Sequence, residues 1–92
     1  EEFIESRQRL ASGIELTYYL PRRALSGGEN VLIVDDLIRS GETQELLLDI
    51  TTQADADVAG VFTLIAVGEE GIDRARELTD APVGALTTFD AE

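Results

Sequence analysis

A strand-like run that leads directly into two carboxylates, a short polar loop and a helix is the feature that most constrains this fold. The run is four apolar residues at 31–34, and Asp35 and Asp36 follow it. A continuous apolar run of this length is typical of a strand that is covered on both faces in a parallel sheet. Apolar side chains then recur at helical spacing over residues 42–53. The segment therefore predicts a strand–loop–helix unit of an α/β sheet.

The same alternation continues towards the C-terminus. A second apolar run spans residues 60–67, a short charged helix is predicted at 71–78, and a third strand at 82–88. Strands that alternate with helices through brief connections predict parallel pairing with right-handed crossovers.

The N-terminal region has a different pattern. Residues 14–20 alternate partially and carry aromatic and β-branched side chains, which indicates an exposed or edge strand. A turn at 11–13 makes this strand a candidate arm of a β-hairpin whose other arm is residues 3–9. The expected fold class is therefore α/β, with parallel strands, flanking helices and an N-terminal β-hairpin or edge strand, in a single domain at 1–92.

The charge balance excludes several classes of function. Seven Arg and no Lys against 19 Asp and Glu give a net charge of −12. A surface that binds nucleic acid or an anionic membrane needs clustered positive charge, so neither partner is expected for this chain. The absence of Cys and His excludes disulfides, zinc sites of the Cys/His type, thiol nucleophiles and His-based triads. No apolar run approaches the roughly 20 residues that span a bilayer and no signal peptide is visible, so we expect a cytoplasmic protein.

Two residues that the sequence lacks, Lys and an initiator Met, lead to further expectations. The absence of Lys beside 19 carboxylates predicts a salt-adapted, halophilic source, because dispersed surface acids are one device of proteins whose charge repulsion is screened by abundant salt. The chain also opens on Glu1 without an initiator Met. We therefore expect a processed or truncated piece of something longer.

The chemistry is expected at the carboxyl edge of the sheet, where ligands of open α/β folds bind. The loop after the first buried strand leads into a helix, so backbone N–H groups, two hydroxyls (Ser40 and Thr43) and the helix dipole together make a candidate phosphate site. The carboxylates of Asp35 and Asp36 repel a phosphate, but they suit neighbouring hydroxyls or a hydrated Mg²⁺. The segment therefore predicts a site for a ribose 5-phosphate, with its phosphate on residues 39–43.

Residues 31–43, four hydrophobics, two acids and a Ser-Gly-Glu-Thr loop, closely resemble the 13-residue phosphoribosyl-pyrophosphate motif of the type I phosphoribosyltransferases. The resemblance implies a partial type I, Rossmann-like fold that binds phosphoribosyl pyrophosphate or a nucleotide together with a nucleobase. It implies that Asp35 and Asp36 bind the ribose hydroxyls, directly or through Mg²⁺. It further implies that the 5-phosphate is held by Arg39, Ser40, Gly41, Glu42 and Thr43.

Departures from the family pattern refine these expectations. Arg39 stands where hypoxanthine-guanine enzymes carry an acidic proton acceptor, which favours the adenine-like branch. Glu42 adds a carboxylate beside the expected phosphate and should weaken anion binding unless it turns outward. The strand and loop that hold pyrophosphate in the family are not found, because residues 1–13 are too few to supply them. No catalytic residue is assigned, and the chain is expected to be about half of a phosphoribosyltransferase.

Two functions follow from the resemblance. The first is a purine (adenine-like) phosphoribosyltransferase domain of purine salvage, and the alternative is a non-catalytic ligand-sensing domain of a phosphoribosyltransferase-like transcriptional regulator. Self-association, as a homodimer, is expected because three parallel strands leave a sheet edge and a face to be covered.

Several other side chains have a functional and a structural interpretation. Four arginines could reach pyrophosphate or simply be solvated: Arg7, Arg9, Arg22 and Arg23. Tyr18 and Tyr19 could stack a purine, although strand packing explains them better. Phe89 and Asp90 could flank a base, although a frayed C-terminal end is favoured.

Overall fold

The order of elements follows the alternation of the sequence. The computed structural model describes residues 3–90. Their strands are β1 (Phe3–Arg9), β2 (Glu15–Pro21), β3 (Asn30–Ile38), β4 (Asp57–Val67) and β5 (Val83–Phe89). Their α-helices are α1 (Glu42–Gln53) and α2 (Glu70–Leu78), and a single 3₁₀ turn, Arg22–Ala24, follows β2. None of these helices is long and apolar enough to span a bilayer.

The strands form two separate sheets. β1 and β2 pair antiparallel as a hairpin, in which Phe3 lies opposite Pro21 and Arg9 opposite Glu15. β3, β4 and β5 form a parallel sheet in that order. The predicted parallel strands and the N-terminal hairpin are both confirmed.

Both helices cover the same face of the parallel sheet. Strands that follow one another in sequence order, each through a right-handed crossover, require this arrangement. α1 and α2 also contact each other. The core between helices and sheet consists of two small clusters, Ile33 with Leu48 and Val61, and Ile38 with Ala66 and Ala75.

The opposite face of the parallel sheet has no covering element among residues 3–90. Leu32 and Val34 of β3 are each 59% exposed, Leu64 of β4 is 46% exposed and Leu86 of β5 is 72% exposed. The prediction that the first apolar run is covered on both faces is therefore wrong for this chain. The physical reason is that both of its helices pack on one side. We call these four residues the open face.

The hairpin packs on the outer side of α1. Ile4 and Ser6 of β1 are both 3% exposed. The Ser6 hydroxyl donates a hydrogen bond to Asp49 Oδ2 at 2.6 Å, and the Gln53 amide donates to the Glu5 carbonyl at 3.0 Å. The alternating sequence of β1 thus places one buried, hydrogen-bonded face against the helix.

Candidate functional site

The two adjacent acids lie inside β3 rather than beyond its end. The parallel ladder pairs Asp35 with Thr63 and continues to Ile38, opposite Ala66. This corrects the prediction that the carboxylates emerge where the strand ends. The Asp35 side chain is half-buried and the Asp36 side chain is exposed, and the two carboxyl groups lie close enough to interact. They remain linked by the Asp36 N–H, which donates to Asp35 Oδ1 at 2.8 Å.

A buried amide holds the inner acid. Gln44, in the first turns of α1, is 2% exposed, and its Nε2 donates to Asp35 Oδ2 at 3.0 Å and to the Leu37 carbonyl at 3.4 Å. Partial burial raises the pKa of the Asp35 carboxyl, and this outweighs the opposing hydrogen bond from Asp36. Sequence reasoning missed Gln44. The available signal was a polar residue on the buried face of the helix, four residues before Leu48.

The loop that follows β3 is very short. Only Arg39, Ser40 and Gly41 separate the strand from α1. Gly41 has a φ of 88°, a left-handed conformation that favours glycine, and it is buried. No side chain caps α1, whose first N–H groups have no intrahelical partner. The predicted short loop that leads straight into a helix is therefore present, and the start of the helix has no side-chain cap.

The first turn of α2 supports this loop from behind. A Cβ added to Gly41 would lie 3.1 Å from the carbonyl oxygen of Gly71. A Cβ added to Gly71 would lie 2.6 Å from Ile38 Cγ1 and 2.7 Å from the Arg39 oxygen. Both positions therefore need glycine for the close approach of helix and loop. The sequence did not reveal this contact, because the two glycines lie 30 positions apart.

Glu42 turns towards the loop, not outward. Its Oε1 accepts a hydrogen bond from the Ser40 hydroxyl at 2.9 Å. Its Oε2 accepts from the backbone N–H of Ala11, in the hairpin turn, at 3.0 Å. The carboxylate thus bridges the loop and the tip of the hairpin.

The remaining candidate side chains have local roles where contacts define them. Arg7 forms an ion pair with Glu5, and Arg9 donates to the Gly13 carbonyl at 3.3 Å. Tyr19 packs edge-to-face on Phe3, with ring centroids 6.3 Å apart, which confirms strand packing for this tyrosine.

The other candidate side chains lie on exposed turns or within strands. Arg22 and Arg23 are exposed on the 3₁₀ turn, and Tyr18 is half-buried in β2. Phe89 ends β5, and its carbonyl accepts a hydrogen bond from Gly68 at 2.7 Å. The expectation of a frayed end is therefore wrong for Phe89, while Asp90 lies just after the strand and is exposed.

The acids fit a magnesium ion only when the substrate supplies further ligands. Among residues 3–90, His, Cys, Asp and Glu side chains form no group of three or more that could hold a metal. Mg²⁺ commonly binds through one or two carboxylates, waters and substrate phosphates rather than in an all-protein cage. Asp35 and Asp36 would supply the one or two carboxylates of that donor set, and waters and substrate oxygens would have to supply the other ligands.

Comparisons with known proteins place this geometry in a family. No protein-family model matches the chain. It is 40% identical over 74 residues to the adenine phosphoribosyltransferase of Salinispora tropica, an alignment that covers 80% of this chain and 38% of that enzyme. It is also 39% identical over 61 residues to the xanthine phosphoribosyltransferase of Lacticaseibacillus casei, covering 66% of this chain and 30% of that enzyme. The chain belongs to the type I phosphoribosyltransferase family.

The sequence similarity extends to a regulator, and the fold is shared with solved structures. The purine biosynthesis transcriptional repressor PurR of Bacillus subtilis is 34% identical over 71 residues, which cover 77% of this chain and 24% of the repressor. The Rhodothermus marinus adenine phosphoribosyltransferase superposes with a TM-score of 0.80 at 24% identity, over 96% of this chain and 49% of that one. The Saccharomyces cerevisiae enzyme, complexed with an imino-altritol bisphosphate and adenine, gives a TM-score of 0.76 at 22% identity, over 90% and 45% of the two chains. This type I chain thus spans less than half the length of these relatives.

Proposed function

We propose that this chain is the ribose-5-phosphate-binding part of a purine phosphoribosyltransferase of the adenine-like branch. The parent protein would transfer ribosyl phosphate from phosphoribosyl pyrophosphate to a nucleobase in purine salvage. The observation that carries the proposal is the sequence of two acids on β3, a three-residue loop with left-handed Gly41, and the uncapped start of α1. The names of the adenine and xanthine relatives support the activity class.

Each part of the proposed site has a distinct role. The exposed carboxylate of Asp36 and the half-buried carboxylate of Asp35 accept hydrogen bonds from ribose hydroxyls. The N–H groups at the start of α1, the hydroxyls and the helix dipole hold the 5-phosphate. The residues of this phosphate loop are Arg39, Ser40, Gly41, Glu42 and Thr43.

Magnesium and a cytoplasmic location belong to the same proposal. A hydrated Mg²⁺ would bind between the acids of β3 and the substrate oxygens, where it would neutralise charge that develops on the leaving pyrophosphate. Phosphoribosyl pyrophosphate and nucleobases are metabolites of the cytoplasm, which is where we place the parent protein. No residue of this chain is proposed as a catalytic acid or base.

Calorimetric titration of the chain with phosphoribosyl pyrophosphate tests the proposal. We expect saturable binding that requires Mg²⁺ and that is lost in the double variant Asp35→Asn, Asp36→Asn. The matched control is Asp57→Asn with Asp80→Asn, which removes the same charge at the amino ends of β4 and β5, on the opposite edge of the sheet. Binding that is absent in the wild type, or equal in both double variants, contradicts the proposed site.

A sensor of a transcriptional regulator is the second candidate, and the match to the repressor favours it. Such a domain would bind the same ligand without turnover, and its DNA contacts would come from another part of its parent, because this chain carries a net charge of −12. Incubation of the parent protein with adenine and phosphoribosyl pyrophosphate separates the candidates. Release of AMP and pyrophosphate supports the enzyme, whereas ligand binding without product supports the sensor.

We further propose that the open face binds a second copy of this chain. Its four residues are apolar, so two chains of net charge −12 would meet at this face with little repulsion between carboxylates. Light scattering over a dilution series should show a dimer, and Leu86→Glu, which places a carboxylate in that face, should give a monomer. A wild-type chain that is monomeric throughout contradicts this proposal.

A further inference from the structure

The side chain of Glu42 folds back onto the phosphate loop and binds Ser40. It accepts the hydrogen of the Ser40 hydroxyl, at 2.9 Å, with one oxygen. A serine hydroxyl donates a single hydrogen, so Ser40 cannot donate to Glu42 and to a bound phosphate at the same time. The carboxylate also repels an approaching anion. A phosphate can therefore use this loop fully only when Glu42 releases Ser40.

The second oxygen of Glu42 holds the tip of the hairpin. It accepts the N–H of Ala11 at 3.0 Å. The turn itself is closed by its own bonds, from the Leu10 N–H to the Ile14 carbonyl and from the Gly13 N–H to the Leu10 carbonyl. The tip therefore keeps its shape when the bond to Glu42 breaks, and it can move as a unit. Further along, the hairpin stays attached to α1 through Ser6 and Asp49.

We infer that Glu42 is a latch that both lowers the affinity of the phosphate loop for its ligand and couples ligand binding to release of the hairpin tip. A phosphorylated ribose that enters the loop displaces the carboxylate from Ser40. Because the same side chain bonds Ala11, its displacement frees the tip. This inference rests on the proposed function, since it assigns a regulatory residue to the proposed phosphate site.

The test compares the wild-type chain with Glu42→Gln and Glu42→Ala, and ribose 5-phosphate with Mg²⁺ is the probe. We expect Glu42→Gln to bind the probe about tenfold more tightly, because a like charge next to the phosphate is removed. Glu77→Gln is the matched control, since it removes the same charge two turns along α2 from the loop, and it should bind as the wild type does. Binding by Glu42→Gln with none by the wild type also supports the latch.

Amide hydrogen exchange of Ala11, measured with and without ligand, gives a second readout. In the unliganded chain, Glu42→Ala should exchange Ala11 faster than the wild type, and saturating ribose 5-phosphate should raise the wild-type rate to that level. Unchanged Ala11 exchange in either case overturns the coupling.

The outcomes separate the latch from the site itself. Wild-type binding with equal or weaker binding by Glu42→Gln overturns the latch and leaves the proposed function standing. Absence of binding in the wild type, Glu42→Gln and Glu42→Ala alike overturns the proposed site and the latch together.

Discussion

At the residue scale, the side chain of Gln44 replaces part of the water that Asp35 loses on burial. The amide donates to the carboxylate at 3.0 Å from a position that is 2% exposed. Burial still raises the pKa of Asp35. A carboxylate that is held in place and partly desolvated is a stronger hydrogen-bond acceptor for a ribose hydroxyl than one fully in water. Asp36, which is exposed, retains its solvent.

Replacement of Gln44 by Met, which has a similar shape and no donor, should destabilise the chain by about 1–3 kcal/mol at neutral pH. Loss of the donor raises the pKa of Asp35 further, because the ionised form loses its partner. The difference in unfolding free energy between the wild type and Gln44→Met is therefore largest at a pH above the Asp35 pKa of both folded proteins. It shrinks as the pH falls through these two pKa values and Asp35 takes up a proton. Urea unfolding across this pH range measures it.

The matched control for this prediction is Gln53→Met, which removes an exposed amide from the same helix. It should cost less than about 1 kcal/mol, with little dependence on pH. Equal unfolding free energies for the wild type and Gln44→Met at neutral pH would show that the buried amide does not stabilise Asp35.

The candidate site residues could be proposed from the sequence, whereas their surroundings could not. Asp35, Asp36 and the loop residues could be proposed because a strand, two acids and a Ser-Gly-Glu-Thr loop are contiguous in the chain. Gln44 could not be paired with Asp35 in the same way, because the contact depends on the angle at which α1 lies on β3. The turn of Glu42 towards Ala11 likewise depends on where the hairpin docks, which a local pattern does not contain.

At the element scale, the close approach of α2 to the loop fixes the end of β3. Gly71 allows this approach, because any Cβ there would overlap Ile38 and the Arg39 carbonyl. The helix, strand and loop are therefore positioned together, although the contact joins segments that are distant in sequence. Secondary structure was predictable because each element has its own periodicity. The prediction that both faces of the sheet are covered was wrong, because an apolar run indicates burial without showing which elements pack on it.

Gly71→Ala should destabilise the chain by about 1–3 kcal/mol and weaken phosphoribosyl pyrophosphate binding, since the Arg39 backbone must shift to make room. Gly84→Ala is the control: its added Cβ meets no atom within 4 Å, and its φ is not in the left-handed range. The control should change stability by less than about 1 kcal/mol. Thermal unfolding and titration calorimetry measure both effects, and equal behaviour of the two variants would contradict a tight α2–loop contact.

At the scale of the whole molecule, charge is the dominant feature. A net charge of −12 on 92 residues opposes the compact state through self-repulsion. Salt at molar concentration shortens the screening length to about 3 Å and removes most of this repulsion. A chain from a salt-adapted source should therefore be more stable in molar salt than in low salt.

The melting temperature should rise by several degrees from low to molar KCl, as followed by circular dichroism. A variant with Glu15→Gln, Asp57→Asn and Glu77→Gln, three exposed positions, should gain less from salt because it has less repulsion to screen. Equal melting temperatures of the wild type in low and molar KCl would contradict salt adaptation.

The central claim is that the loop between β3 and α1 binds the phosphate of a phosphorylated ribose, with the two acids of β3 on the sugar. Amide hydrogen exchange with and without phosphoribosyl pyrophosphate and Mg²⁺ tests it most directly. We expect slowed exchange at Ser40–Thr43 that depends on Mg²⁺ and is absent in the Asp35→Asn, Asp36→Asn variant. Exchange at these amides that the ligand leaves unchanged in the wild type would contradict it.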